Sequence, residues 1–155
     1  MSDAPDSPGV VVPPPLIYAT AIVLGLLLRR VWPMRFLPDH LAALLGPAVV
    51  VAAVGLVLAA IGLFRRAGTR PEPWRPTTAI VVSGPYRFTR NPMYVAMALV
   101  VIGAGVWANT LWPLLLLPAV LPAIDRGVIA REERYLERKF GEEYRAYKSR
   151  VRRWL

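Results

Sequence analysis

The run from Leu41 to Phe64 contains no charged residue and stops at Arg65-Arg66. It is long enough to cross a bilayer, for which a helix needs roughly 20 apolar residues. Inside lipid every backbone N–H and C=O must be satisfied within the protein, which restricts a crossing segment of this kind to a helix. A second run, Leu16 to Leu28, ends at Arg29-Arg30 and reaches spanning length with either Val10–Val12 or Val31–Trp32. Two shorter runs, Met93–Trp107 and Leu111–Ile124, are separated by Ala108-Asn109-Thr110 and read as a helical hairpin. Hydrophobic residues make up 55% of the chain, above the roughly 45–50% of soluble domains, and the excess lies in these runs. The expectation is an all-α, polytopic integral membrane bundle of four spans. Pro47 is expected near the start of the second span or at a kink in it, and Pro113, Pro118 and Pro122 make the last arm irregular.

The 155 residues fit one domain, 1–155, and leave no room for a separate soluble catalytic unit. A Pro-rich, acidic, mobile leader (1–15) lacks the basic start of a signal peptide. It precedes the first two spans (16–64), a polar connection (65–92), the hairpin (93–125) and a charged amphipathic cytoplasmic helix (126–155). In that helix Leu136, Phe140, Tyr144, Tyr147 and Val151 recur at helical spacing, with an interruption expected at Gly141. Thr78–Val82 in the connection reads as extended or interfacial. The absence of cysteine excludes disulfides, thiol nucleophiles and cysteine metal sites.

Basic residues set the orientation. With four spans, only Arg29, Arg30 and Arg35 fall on one side, and every other Lys and Arg falls on the side of the connection and both termini. The positive-inside rule makes that side cytoplasmic. A formal charge of +9 then describes a face suited to anionic headgroups of membrane lipids. No recognition module accompanies the charge, so nucleic acid is not an expected partner.

Two polar motifs bracket the hairpin: Gly84-Pro85-Tyr86-Arg87-Phe88-Thr89-Arg90-Asn91-Pro92-Met93-Tyr94 and Arg131-Glu132-Glu133-Arg134-Tyr135-Leu136. A hairpin returns both to one membrane face, where they form a polar pocket. With Phe140-Gly141-Glu142-Glu143-Tyr144, Tyr147, Arg150 and Val151, these blocks resemble the isoprenylcysteine carboxyl methyltransferase and phospholipid N-methyltransferase family. The resemblance runs from about Gly68 to the C-terminus, and Asn91 stands where the family carries His. It implies a small integral membrane enzyme that uses S-adenosylmethionine, with no obligatory metal, and a lipophilic acceptor entering from the bilayer. A prenylated cysteine, an isoprenoid acid, an amino-phospholipid or a small thiol all suit such a pocket.

On this reading Arg87 or Arg90, the Asn91 amide and the free N–H groups at the helix start of Pro92 bind the donor's carboxylate. Tyr94 stands one turn further in, near the sulfonium or the adenine. Asn91-Pro92 is equally a good helix cap, with the Arg and Tyr as interfacial anchors. Glu132 and Glu133 accept from the donor's ammonium group or ribose hydroxyls, and either is the candidate base for an ammonium acceptor; otherwise they stabilise a helix start. Adjacent carboxylates face different ways, so one is expected in the pocket and the other beside Arg134 or a loop Arg. Arg126 and Arg131 either snorkel to headgroups or orient an anionic acceptor.

Other features have plainer readings. Ala48, Ala52, Gly55, Ala59 and Gly62 form a small-residue stripe, expected to pack within the subunit, with a homodimer seam as the alternative. Gly103-Ala104-Gly105 serves close helix packing, and His40 a helix start or interface. Tyr144, Tyr147, Arg150 and Trp154 dock the last helix or cover the pocket. The rivals to a methyltransferase are a non-catalytic membrane scaffold and a membrane reductase of the sterol reductase type.

Overall fold

Each helix begins and ends where local chemistry dictates. Helix α1 (Pro14–Val31) starts on prolines that lack the N–H a first turn cannot use, and it ends behind Arg29 and Arg30. Helix α2 (Asp39–Arg66) has Asp39 in its first turn and Arg65 and Arg66 in its last. Its end is a Schellman turn: Gly68 adopts φ 67, the Thr69 N–H reaches the Phe64 carbonyl at 3.0 Å and the Gly68 N–H that of Arg65 at 3.1 Å. Helix α3 (Pro92–Trp107) ends the same way with Asn109 at φ 48, a left-handed position that asparagine tolerates. Helix α4 (Trp112–Ile124) runs through the π-turn Asp125–Ile129 into α5 (Ala130–Phe140), and Gly141 at φ 54 separates this from α6 (Glu142–Arg150).

The computed structural model describes residues 7–72 and 75–155. Among the described residues there is no strand, so Thr78–Val82 is coil, with Val81 buried and Val82 exposed. The expected leader is shorter than 1–15 because Pro14 and Pro15 already belong to α1, and its first six residues lie outside the described residues. The hairpin and the charged helix, divided at Asp125 in the sequence, are continuous. The π-turn carries the chain on without a gap, and its extra residue turns the charged helix to a new register.

α2 lies along α3, and α1 packs against α3 and α4. Glycines make these approaches: Gly46 backs onto the Trp107 main chain, and a Cβ on Gly103 would stand 2.7 Å from Val50 and one on Gly25 2.7 Å from Pro113. Tyr18, Val101, Leu117, Ile124 and Ile129 fill the core between α1, α3, α4 and the π-turn. The small-residue stripe does not pack within the subunit. Ala48, Ala52, Gly55 and Ala59 are exposed, and nothing lies within 4 Å of a Cβ placed on Gly55 or Gly62. α2 instead buries Ala42, Gly46, Ala53 and Ala60, and Gly46 lets the Trp107 backbone in.

Three helical stretches are long and apolar enough to cross a membrane: Pro14–Val31, Asp39–Arg66 and the continuous Trp112–Phe140. α3 is apolar but has 16 residues, a rise of about 24 Å against a hydrocarbon core of about 30 Å. At one end of the bundle the Trp112 indole donates to the Trp32 carbonyl at 2.7 Å, and the Asn109 side chain bonds Phe36, Leu37 and Asp39. The other end collects the polar connection, the start of α3, and α5 and α6.

Candidate active site

The two polar motifs meet at this second end because the chain beyond α6 turns back across the start of α3. The Arg90 N–H donates to the Arg152 carbonyl at 2.9 Å, the Thr89 hydroxyl to the Arg153 carbonyl at 3.1 Å, and the Asn91 amide to the same carbonyl at 2.9 Å. Asn91 therefore precedes α3 without capping it through its side chain. The free N–H groups expected at the helix start are also fewer: Pro92 has none, and those of Tyr94 and Val95 close onto the Asn91 carbonyl.

Arg90 and Glu133 form a buried pair, Nη2 to Oε1 at 2.7 Å, with side chains 8% and 7% exposed. Arg153 completes it, its Nε 3.0 Å from Glu133 Oε1 and its Nη2 2.5 Å from Oε2, while its Nη1 lies 3.0 Å from Asp125 Oδ2. The Trp154 indole donates to the other Asp125 oxygen at 3.0 Å. The hydrogen bond to Glu133, and behind it the charges of Glu133 and Asp125, raise the Arg153 pKa and keep the guanidinium charged. Arg90 spends Nη1 on the carbonyls of Lys148 and Val151, and its buried Nε has no partner among the described residues.

Glu132 has a different environment. Its Oε1 accepts from the Tyr94 hydroxyl at 2.6 Å, and no cation pairs with it among the described residues. Both carboxylates line a cavity of about 310 Å³ together with Arg90, Asn91 and Tyr94. Val57, Ile61 and Phe64 of α2 and Met97 of α3 form its apolar side, and the connection residues Glu72 and Thr77 line it as well. Tyr144 and Tyr147 close it from α6. Burial raises the Tyr147 phenol to about 12, so it stays a donor, and it holds the Tyr86 carbonyl at 2.8 Å. Burial likewise raises Tyr86 and Tyr144.

Of the residues singled out from sequence, Arg90, Asn91, Tyr94, Glu132 and Glu133 converge on this cavity. Arg87 and Arg126 are exposed and Pro92 is fully buried, all three outside its lining. Arg131 is also exposed, with its Nη1 3.0 Å from the Gly9 carbonyl. Sequence reasoning missed Arg153, Asp125 and the wall residue Glu72, and gave Tyr86 no role of its own within its motif. Arg153 left no signal, because its carbonyl and guanidinium reach residues some sixty and twenty positions away.

Three apolar helices of membrane-crossing length, no strand among the described residues and a largely apolar cavity with a polar end define an integral membrane protein of the all-helical class. The comparison with known families is definite: the phospholipid methyltransferase family matches residues 41–143. That is about two thirds of the chain, and the chain belongs to this methyltransferase family. A protein of Haemophilus influenzae, described as uncharacterized, is 43% identical over 63 residues, all of its own length and 41% of this chain. No solved structure matches.

Proposed function

We propose that this chain transfers a methyl group from S-adenosylmethionine to a lipophilic acceptor that enters from the bilayer. The observation that carries the reading is the Glu132–Tyr94 pair in a cavity where the neighbouring carboxylate, Glu133, is already neutralised. The donor has an ammonium and a sulfonium against one carboxylate. Glu132 offers those cations a carboxylate with no cation beside it among the described residues, and the Arg90 Nε, without a partner among them, offers a donor for the carboxylate. The residues present therefore fit the ligand. Phe64 and Tyr86, edge to face with centroids 5.5 Å apart, supply an aromatic corner of the wall for a purine.

When bound, S-adenosylmethionine supplies an electrophilic methyl group open to in-line displacement. The chain's part is to align the reactants and keep water out. Val57 and Ile61 carry the cavity wall down the apolar part of α2, the side from which an acyl or prenyl acceptor would approach. Carboxylate and thiolate acceptors need no base, whereas an ammonium acceptor must first lose a proton, and Glu132 is the group placed to take it. The reading includes four crossings, α3 among them, with both termini cytoplasmic.

Titration of the detergent-solubilised protein with S-adenosylmethionine tests this. Glu132→Gln keeps an acceptor for Tyr94 but removes the charge, and it is expected to weaken binding by about ten- to a hundredfold, the loss of one charged hydrogen bond. A labelled-methyl assay over lipid extracts then identifies the acceptor class. A protein that binds no donor at all would leave the scaffold reading in place.

A further inference from the structure

The connection between α2 and α3 contributes its own charge to the cavity. It is held at both ends of a short loop: the Thr78 N–H donates to the Thr69 hydroxyl at 2.9 Å and the Thr78 hydroxyl to the Gly68 carbonyl at 3.0 Å. One residue earlier, the Thr77 N–H donates to the Tyr135 hydroxyl at 3.1 Å. Tyr135 is buried on α5, one turn beyond Glu132, so the loop is tied to the helix that presents the Glu pair. Glu72 lies inside this clasp, where its carbonyl accepts from the Arg75 N–H at 3.0 Å. It lines the cavity, and its carboxylate oxygen Oε2 is buried with no hydrogen-bond partner among the described residues.

A carboxylate oxygen shielded from water and given no donor is costly, and the cost is recovered only when a cation or donor reaches it. The cavity's own cations do not supply one. Arg90 pairs with Glu133 and gives its Nη1 to main-chain carbonyls, its Nε makes no hydrogen bond to Glu72, and the exposed Arg70 makes none to Glu72 Oε2. Two carboxylates, Glu72 from the connection and Glu132 from α5, thus line one cavity without a cationic partner among the described residues. We infer that Glu72 is a cation-recognising residue of the donor site, which with Glu132 makes the cavity select a positively charged adenosyl ligand over an uncharged one. This inference rests on the function proposed above and adds to it a residue from outside both motifs.

Calorimetric titration of the full chain in detergent, with two ligands that share the adenosine, tests it. S-adenosylmethionine carries the sulfonium and ammonium, and 5′-methylthioadenosine carries neither. Glu72→Gln is expected to weaken S-adenosylmethionine about tenfold and to leave 5′-methylthioadenosine within about twofold. Equal weakening of both ligands would assign Glu72 a structural role and overturn the inference, as would unchanged affinity for the charged one. If Glu72→Gln does not fold, Glu72→Asp decides: it shortens the reach of the carboxylate, and a loss for S-adenosylmethionine at least threefold greater than for 5′-methylthioadenosine supports the inference, whereas equal loss of both or no loss of either overturns it. A parent protein that binds S-adenosylmethionine while Glu72→Gln binds it equally well removes this inference alone. A parent that does not bind it removes the proposed function too.

Discussion

Glu132 and Glu133 are neighbours in sequence with opposite circumstances, and the difference lies in what stands across from each. Glu133 meets two guanidiniums and is 5% exposed; Glu132 meets one phenol. Removing one partner of a buried ion pair leaves the other charged and unpaired, which typically costs about 3–5 kcal/mol. Glu133→Gln is therefore expected to destabilise the protein by about that amount, read as a lower midpoint in detergent unfolding. The exposed Glu142, paired only with Arg145 on its own helix, should leave the unfolding curve unchanged as Glu142→Gln. Equal midpoints for the two variants would mean that the Arg90–Glu133–Arg153 cluster does not hold the chain's end in place. Glu132→Gln, by contrast, should lose ligand and keep its midpoint.

Helix pairing depends on which glycines are covered. Gly46 on α2 sits against the Trp107 main chain, which cannot move aside as a side chain can, whereas Gly55 faces open space. Overpacking a close contact costs about 1–3 kcal/mol, while replacing an uncovered helical glycine by alanine gains up to about 1 kcal/mol. Gly46→Ala should lower the unfolding midpoint and Gly55→Ala should hold or raise it. The reverse order would show that α2 packs through its small-residue stripe after all. Spacing could not reveal this: Ala48, Ala52, Gly55, Ala59 and Gly62 form a good helical stripe, but the covered stripe is Ala42, Gly46, Ala53 and Ala60, chosen by the α3 surface opposite. The Gly103 and Gly105 contacts agree with the packing reading taken from sequence.

The bundle places the connection, α5 and α6 at one end and the Trp32–Pro38 turn at the other. Because the chain has no cysteine, single substitutions report sidedness without background. Ser149→Cys is expected to label from the cytoplasmic side and Arg35→Cys from the opposite side, as the bias of basic residues requires. Labelling of both from one side would overturn the four-crossing reading and point to α3 as a helix that does not traverse.

Apolar runs and their arginine ends were enough to specify helices 14–31, 39–66 and 92–107 within a few residues, because a lipid-exposed backbone has few alternatives to a helix. The residues Arg90, Asn91, Tyr94, Glu132 and Glu133 were legible for a related reason: polar groups clustered at the ends of apolar helices are conspicuous. Their partners were not. Whether Glu133 is neutralised depends on Arg153 crossing back over α3. Whether Glu72 enters the cavity depends on a loop clasped by Thr69, Thr77 and Thr78. Those contacts are made by a returning guanidinium and by single hydroxyls, which leave no periodicity to read. Local chemistry therefore determined the helices and the polar ends, and only the packed chain decided which carboxylate is left free to meet a ligand.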